Sequence, residues 1–155
     1  MLRITKETDY GILVLTCFAR AQGLALTTKQ IAEQTDIPYR MVCKVLNLLT
    51  RKGLLVSQRG MKGGYSLERA PETVTLDEAI SALEGPVALT ECAKSDCECQ
   101  ALERCSVQDH WSLINRAFRQ ALRGVTLRAM AAPADPSVVP FLSKAPSKPN
   151  PEEWS

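Results

Sequence analysis

The sequence predicts a mostly α-helical chain with a small β-hairpin wing: a winged helix-turn-helix followed by a long C-terminal dimerisation helix. Three observations predict it. Residues 27–51 read as two short helices joined by a tight turn. Residues 54–67 read as two short strands around a glycine-rich, basic loop. Residues 107–125 carry apolar side chains spaced three, four, three and four apart. Four segments follow: a winged helix-turn-helix over 1–84, a cysteine-rich loop over 85–106, the dimerisation helix over 107–131, and a Pro-rich tail over 132–155.

Thr5 opens the first predicted helix, which runs to about Gln22. Tyr10, Leu13, Val14, Cys17, Phe18 and Ala21 follow a helical rhythm and make one apolar face. Cys17 is therefore expected as buried filler rather than as a ligand. Ile12, Leu15 and Ala19 make a second strip. A helix apolar on two sides packs between two layers, a dimer partner being one option for the second.

Thr27 and Gln30 form a capping-box pattern for a short helix to about Gln34, with Ile31 and Ala32 facing inward. Thr35-Asp36-Ile37 is the turn. Pro38 suits the first position of the next helix, where a missing N–H costs nothing. That helix runs to about Arg51, with Val42, Val45, Leu46 and Leu49 inward and Arg40, Cys43, Lys44, Asn47 and Arg51 outward. Gly53 closes it. Leu54-Leu55-Val56 and Tyr65-Ser66-Leu67 are the strands, and the loop between them carries Arg59, Lys62 and three glycines. Glycine permits a tight loop and close backbone approach to a phosphate or a groove floor.

Charge follows the same division. Residues 1–69 hold 11 Lys/Arg against 5 Asp/Glu, a balance of +6, and residues 70–155 hold 8 against 12, a balance of −4. Residues 38–69 hold seven Lys/Arg and one acid, Glu68. A basic helix-turn-helix with a basic wing points to a polyanion-facing surface, with double-stranded DNA as the partner. The candidate DNA contacts are Tyr39, Arg40, Cys43, Lys44, Asn47 and Arg51 on the helix, and Arg59, Lys62 and Gly63 in the wing. Arg40 and Lys44 suit base edges, while Arg51 and Lys62 suit phosphates. For the charge the competing reading is a solvated surface with chance segregation; for the helices it is a plain helical pair in a bundle, which the wing disfavours.

Thr75 and Glu78 repeat the capping-box pattern for a helix over 76–83, stopped by Gly85-Pro86. Residues 70–105 hold eight acids and two bases, so this part is expected to stay away from DNA. Within it, Cys92, Cys97, Cys99 and Cys105 fall in fourteen residues that show no apolar period. Thiols gathered this closely hold a metal centre or pair as disulfides. No signal segment and no run of ~20 apolar residues is present. The chain is therefore expected to be cytoplasmic, away from membranes. A reducing cytosol favours a metal or a redox role over a disulfide frame. Four thiols also suit zinc. No general-base cluster accompanies the cysteines, so neither an enzyme nor a small-molecule substrate is expected.

After the loop, a helix from Val107 to about Arg123 presents Trp111, Ile114, Phe118, Ala121 and Val125 as a dimer seam. Arg116, Arg119, Gln120 and Arg123 are expected to solvate its other side. Thr126–Met130 add one more turn. Six of nine prolines lie from Pro133 onward, which predicts a disordered tail whose apolar cluster is Val138, Val139, Phe141 and Leu142.

The Thr8-Asp9-Tyr10 helix, the Arg59-Gly60-Met61-Lys62-Gly63-Gly64-Tyr65 wing and the cysteine loop ahead of a long helix together resemble one family. It is the family of iron–sulfur-sensing winged-helix regulators that includes IscR, NsrR and RirA. The likeness covers roughly residues 1–130 and is closest in character to regulators of the Suf iron–sulfur assembly operon. The resemblance implies a homodimeric transcription regulator, in the main a repressor, binding a pseudo-palindromic operator. It implies an iron–sulfur cluster, 2Fe–2S in preference to 4Fe–4S. In the family the last two of three cysteine ligands are separated by five residues. Cys99 and Cys105 match that spacing, and Cys92 is the first ligand by the same likeness. Cys97 departs from the pattern and is held as an alternate or reserve thiol. The IscR branch has a histidine three residues after the last cysteine. Here that position is Gln108, and His110, the only histidine, lies two further on. The NsrR branch uses an N-terminal aspartate from the partner subunit, which corresponds to Asp9. Both Asp9 and His110 stay open as fourth ligand. Cys43 stands where some members carry a glutamate that tunes operator choice.

Overall fold

The structure is a computed structural model that describes residues 4–60, 63–90, 105–135 and 137. Its elements are α1 (Lys6–Arg20), α2 (Thr28–Thr35), α3 (Tyr39–Arg51), β1 (Leu55–Gln58), β2 (Gly64–Leu67), α4 (Leu76–Glu84), α5 (Gln108–Gly124) and α6 (Leu127–Ala131). The fold is mostly helical with one antiparallel hairpin, as the sequence predicts. No helix among the described residues is long and apolar enough to cross a membrane.

Helix α1 is the central element. Thr5 caps it by accepting from the Thr8 N–H at 3.2 Å, which satisfies one of the helix's orphan donors. Both predicted apolar strips are buried within the chain: Val14, Phe18 and Cys17 on one side, Leu15 and Ala19 on the other. Helix α1 packs against α2, α3, β2, α4 and α6. The second layer is thus supplied by the chain itself at Leu15 and Ala19. Leu13, expected on the inward face, is 39 % exposed. It lies on the outward side of the helix with the exposed Asp9 and Arg20.

The capping box of α2 is present in both directions, Thr27 to the Gln30 N–H and Gln30 back to the Thr27 N–H. Asp36 then turns the chain in the left-handed region, with φ of 55°. Asp tolerates that region better than most residues because its short polar side chain bonds locally. Pro38 lies one position outside α3 rather than in its first turn, with extended backbone (ψ 132°) and its carbonyl accepting from Val42 at 3.1 Å. Val42, Val45, Leu46 and Leu49 are fully buried, as their spacing predicts.

The hairpin pairs Leu55 with Leu67 and Gln58 with Gly64. Leu26 joins it as a one-residue third strand, exchanging hydrogen bonds with Tyr65 at 2.8 and 2.9 Å. That approach explains Gly64: an added Cβ would lie 2.7 Å from the Leu26 carbonyl oxygen. Gly63 is likewise closed in, since a Cβ there would meet the Gln58 and Gly60 carbonyls at 2.8 Å. The turn itself therefore requires glycine at 63.

The second half departs further from expectation. Thr75 caps α4 by accepting from the Glu78 N–H, but the Glu78 carboxylate pairs with Arg69 and does not complete a box. The predicted extension after α5 is instead the separate helix α6. Val125 breaks the helix with extended backbone, and the chain bridges Thr75 to Thr126. Leu76 N–H donates to the Val125 carbonyl and Leu127 N–H to the Val74 carbonyl, at 2.8 and 2.9 Å. Helix α6 then lies on α1, with Leu127 buried and Arg128 donating to the Ala19 carbonyl.

The apolar stripe of α5 divides along its length. Phe118 and Ala121 are partly buried and Val125 is buried. Trp111 and Ile114 remain 39 % and 49 % exposed, as does Val107 at 49 %. Arg119 and Arg123 do not simply solvate the outer side. Both reach the buried carboxylate of Asp77 on α4. Their spacing of four residues lines them up on one helix face.

Candidate functional site

Two groups of residues are candidates for function: the outward face of α3 with the hairpin, and the cysteine loop with its neck. On α3, burial of Val42, Val45, Leu46 and Leu49 fixes the rotation of the helix. Tyr39, Arg40, Lys44, Asn47 and Arg51 are consequently exposed together, with Cys43 half-buried among them. Arg59 is exposed at the hairpin tip and Gly63 is half-buried. Lys62 lies outside the described residues. Arg40 and Arg51 of α3 and Arg59 of the hairpin are all exposed, and none of them has an ion pair among the described residues. Lys44 differs. Its ammonium donates to the Glu7 carboxylate of α1 at 2.7 Å.

Of the predicted ligands, Cys92, Cys97 and Cys99 lie outside the described residues. Cys105 is half-buried and free, and its carbonyl accepts from the Gln108 N–H at the start of α5. Asp9 in the first turn of α1 and His110 in the first turn of α5 are both exposed. Among the described residues no group of three or more His, Cys, Asp and Glu could hold a metal. Cys17 is buried in the core and burial pushes its thiol pKa up, which favours the neutral thiol over the thiolate a metal needs.

The neck of the loop is well defined. The Leu89 N–H donates to Asn115 Oδ1 at 3.0 Å, and Asn115 is buried. This bond joins the segment entering the loop to the helix that leaves it. Below it, Asp77 accepts from Arg119 Nε and one Arg119 terminal nitrogen, both at 3.0 Å, and from Arg123 Nε at 3.1 Å. The Arg119 hydrogen bonds, opposed by burial and helped by Arg123, hold the Asp77 carboxyl below its ordinary range. An apolar groove of about 500 Å³ flanks the neck, lined by Ile4, Leu76, Ile80, Leu89 and Phe118 among others.

Sequence reasoning missed Asp77, Asn115 and Glu7. Two signals were present. Arg119 and Arg123 are four apart on one helix face, a fork suited to a single acid. Asn115 stands four after Trp111 and three before Phe118, a polar residue inside an apolar stripe. Glu7 carries no such signal, because its partner lies 37 residues away.

A family model described as Rrf2, iron-dependent transcriptional regulator, matches residues 4–133. A putative Rrf2-like HTH-type transcriptional regulator of Rhodobacter capsulatus is 29 % identical over 143 residues, covering 86 % of this chain and 95 % of that protein. The HTH-type transcriptional repressor NsrR of Streptomyces coelicolor is 26 % identical over 148 residues, covering 94 % and 99 %. Among solved structures, CymR, the global cysteine regulator of Bacillus subtilis, superposes with a TM-score of 0.69 at 26 % identity, over 87 % of this chain and 100 % of that one. These relatives are regulators and not enzymes. The match spans the hairpin, the α3 surface and α5 alike, and the chain belongs to the Rrf2 family of winged helix-turn-helix transcriptional regulators.

Proposed function

We propose that this regulator is a homodimeric, cytoplasmic repressor whose cysteine loop holds an iron–sulfur cluster and reports cluster supply, iron, oxidants or nitric oxide to the DNA-binding surface. The observation that carries the reading is the placement of the thiols. Four of six cysteines lie between Leu89, tied to Asn115, and α5, which begins three residues after Cys105. Three soft thiolates fit iron, and the Asn115 bond ties the segment ahead of the loop to the helix that follows it. Cys92, Cys99 and Cys105 are the assigned ligands, with Cys97 in reserve. Asp9 of a partner subunit or His110 supplies the fourth position. The description of the family model as an iron-dependent regulator and the likeness to the repressor NsrR support the broader reading of an iron-responsive repressor. By likeness alone, the controlled genes include those of iron–sulfur assembly.

On the DNA side, α3 enters the major groove with Arg40 and Lys44 toward base edges, and Tyr39, Cys43 and Asn47 line the same surface. Arg51, Arg59, Lys62 and the Gly63 backbone meet the phosphates or the flanking minor groove. The exposed Val107, Trp111 and Ile114 are the dimer seam, an apolar strip that a partner's α5 would cover.

The likeness to a cysteine regulator favours a second reading, a cluster-free switch in which loop thiols or a structural zinc set the DNA-bound state. Anaerobic purification with an absorption spectrum and iron and sulfide analysis separates the two. The cluster reading predicts a brown protein with equimolar iron and sulfide. A colourless protein containing zinc, or no metal, would contradict it.

A further inference from the structure

Lys44 is the recognition-surface cation with an acid partner among the described residues, and that partner comes from another helix. Glu7 sits in the first turn of α1, which is firmly held. Thr5 caps the turn, the Thr5 N–H donates to Glu84 at 2.7 Å, and Thr8 is buried. Helix α1 also packs directly on α3. The carboxylate is therefore presented to Lys44 at 2.7 Å from a fixed element.

We propose that Glu7 is a specificity-determining residue: by neutralising Lys44, it turns this lysine from a phosphate-seeking charge into a base-edge donor. The inference rests on the reading of α3 as the DNA-reading helix. An ammonium has three donors, so Lys44 can keep Glu7 and still donate to guanine O6 or N7. Base recognition needs the hydrogen bond. Phosphate attraction needs the net charge, because binding to arbitrary sequence is driven by counterion release. A lysine paired to a carboxylate contributes little to that release, and the carboxylate itself repels the phosphates. Glu7 thus weakens binding to arbitrary DNA while leaving the base-edge hydrogen bond available, and discrimination is a difference between the two. Lysine is otherwise a poor reader, since its flexible point charge finds a phosphate as readily as a base.

The test compares Glu7→Gln, Lys44→Ala and the double variant with the wild-type protein. Each is titrated with a duplex selected by the wild-type protein from a randomised pool, and with a mixed-sequence duplex of equal length, over a salt series. Glu7→Gln should raise mixed-sequence affinity about two- to fivefold at low salt, the size of one exposed charge pair. It should steepen that duplex's salt slope by about 0.9, one added phosphate contact. Affinity for the selected duplex should rise less, so their ratio falls, and Lys44→Ala in the Glu7→Gln background should remove the gain. Unchanged mixed-sequence affinity and slope in Glu7→Gln would overturn the proposal, as would a gain that survives in the double variant. If Lys44→Ala alone still weakens the selected complex, the DNA reading of α3 stands although the role of Glu7 falls. If Lys44→Ala changes neither duplex, the assignment of Lys44 to the interface falls with it.

Discussion

Asp77 of α4 is held by Arg119 of α5 through two parallel hydrogen bonds of 3.0 Å, and the carboxylate is buried while the guanidinium is partly open to solvent. This pair, joined by Arg123, fixes the angle between the winged domain and the helix proposed as its dimer arm. A bidentate Arg–carboxylate pair constrains orientation as well as distance. In the proposed dimer the clamp would set how far apart two α3 helices stand, and DNA groove spacing tolerates little error there.

Asp77→Asn should destabilise the protein by about 1–3 kcal/mol, the cost of charge-assisted hydrogen bonds with partly exposed partners. The Asp77 carboxyl is held below its ordinary value, so its contribution is fully present above that value and fades as pH falls through the folded pKa. Thermal unfolding from pH 7 down to pH 3 checks this. The difference between wild type and variant should be constant near neutrality and shrink below about pH 4. A difference that grows toward acid would contradict the assignment.

Arg40 and Lys62 should fail differently. Arg40→Ala should cost roughly 1–3 kcal/mol on the selected operator and relax preference at one base pair. Lys62→Ala should weaken binding to all sequences and flatten the salt slope by about one contact. Equilibrium titrations on cognate and mixed-sequence duplexes measure both. Identical behaviour of the two variants would mean that readout and anchoring are wrongly divided.

Ile114 lies in the exposed strip of α5, away from the Asp77 clamp. Ile114→Glu should leave the monomer folded, since the residue is 49 % exposed, yet weaken self-association by about 2 kcal/mol or more by burying a charge in the seam. Sedimentation equilibrium shows the outcome. An unchanged association constant would move the seam elsewhere.

Much of the DNA-reading half was legible because its determinants are local. The 3.6-residue spacing of Val42, Val45, Leu46 and Leu49 states which side of α3 is inward, and hence which side carries Arg40 and Lys44. The Thr27–Gln30 box and the wing glycines mark boundaries within a few residues. The second half was harder because its determinants are distant in sequence. The Thr75–Thr126 bridge ends α5 and starts α6, yet neither threonine signals the other. A three-four repeat states that one side of α5 is buried, not whose surface buries it. Val125 went to the chain's own core, Phe118 is half-buried along the groove beside the neck, and Trp111 and Ile114 stay exposed. Arg119 and Arg123 looked like solvated charges because Asp77 lies 42 and 46 residues away. The ligand choice among Cys92, Cys97 and Cys99 falls outside the described residues and rests on spacing and family likeness.

The proposed function requires that the cysteine loop communicate with the DNA surface. Leu89, ahead of the loop, is bonded to Asn115 of α5, and α4 and α5 are joined through Asp77, so in the proposed function a change of loop occupancy would act on this joint. Allostery requires a difference in affinity between two states, typically 1–3 kcal/mol. The direct measurement is operator affinity of the anaerobically purified, cluster-loaded protein and of the same protein after cluster removal, at one fixed salt concentration. Tighter binding by the loaded form, by roughly 5- to 150-fold, is the expected result. Equal affinities of the two forms on every selected operator would make the cysteine loop structural and rule out its sensing role.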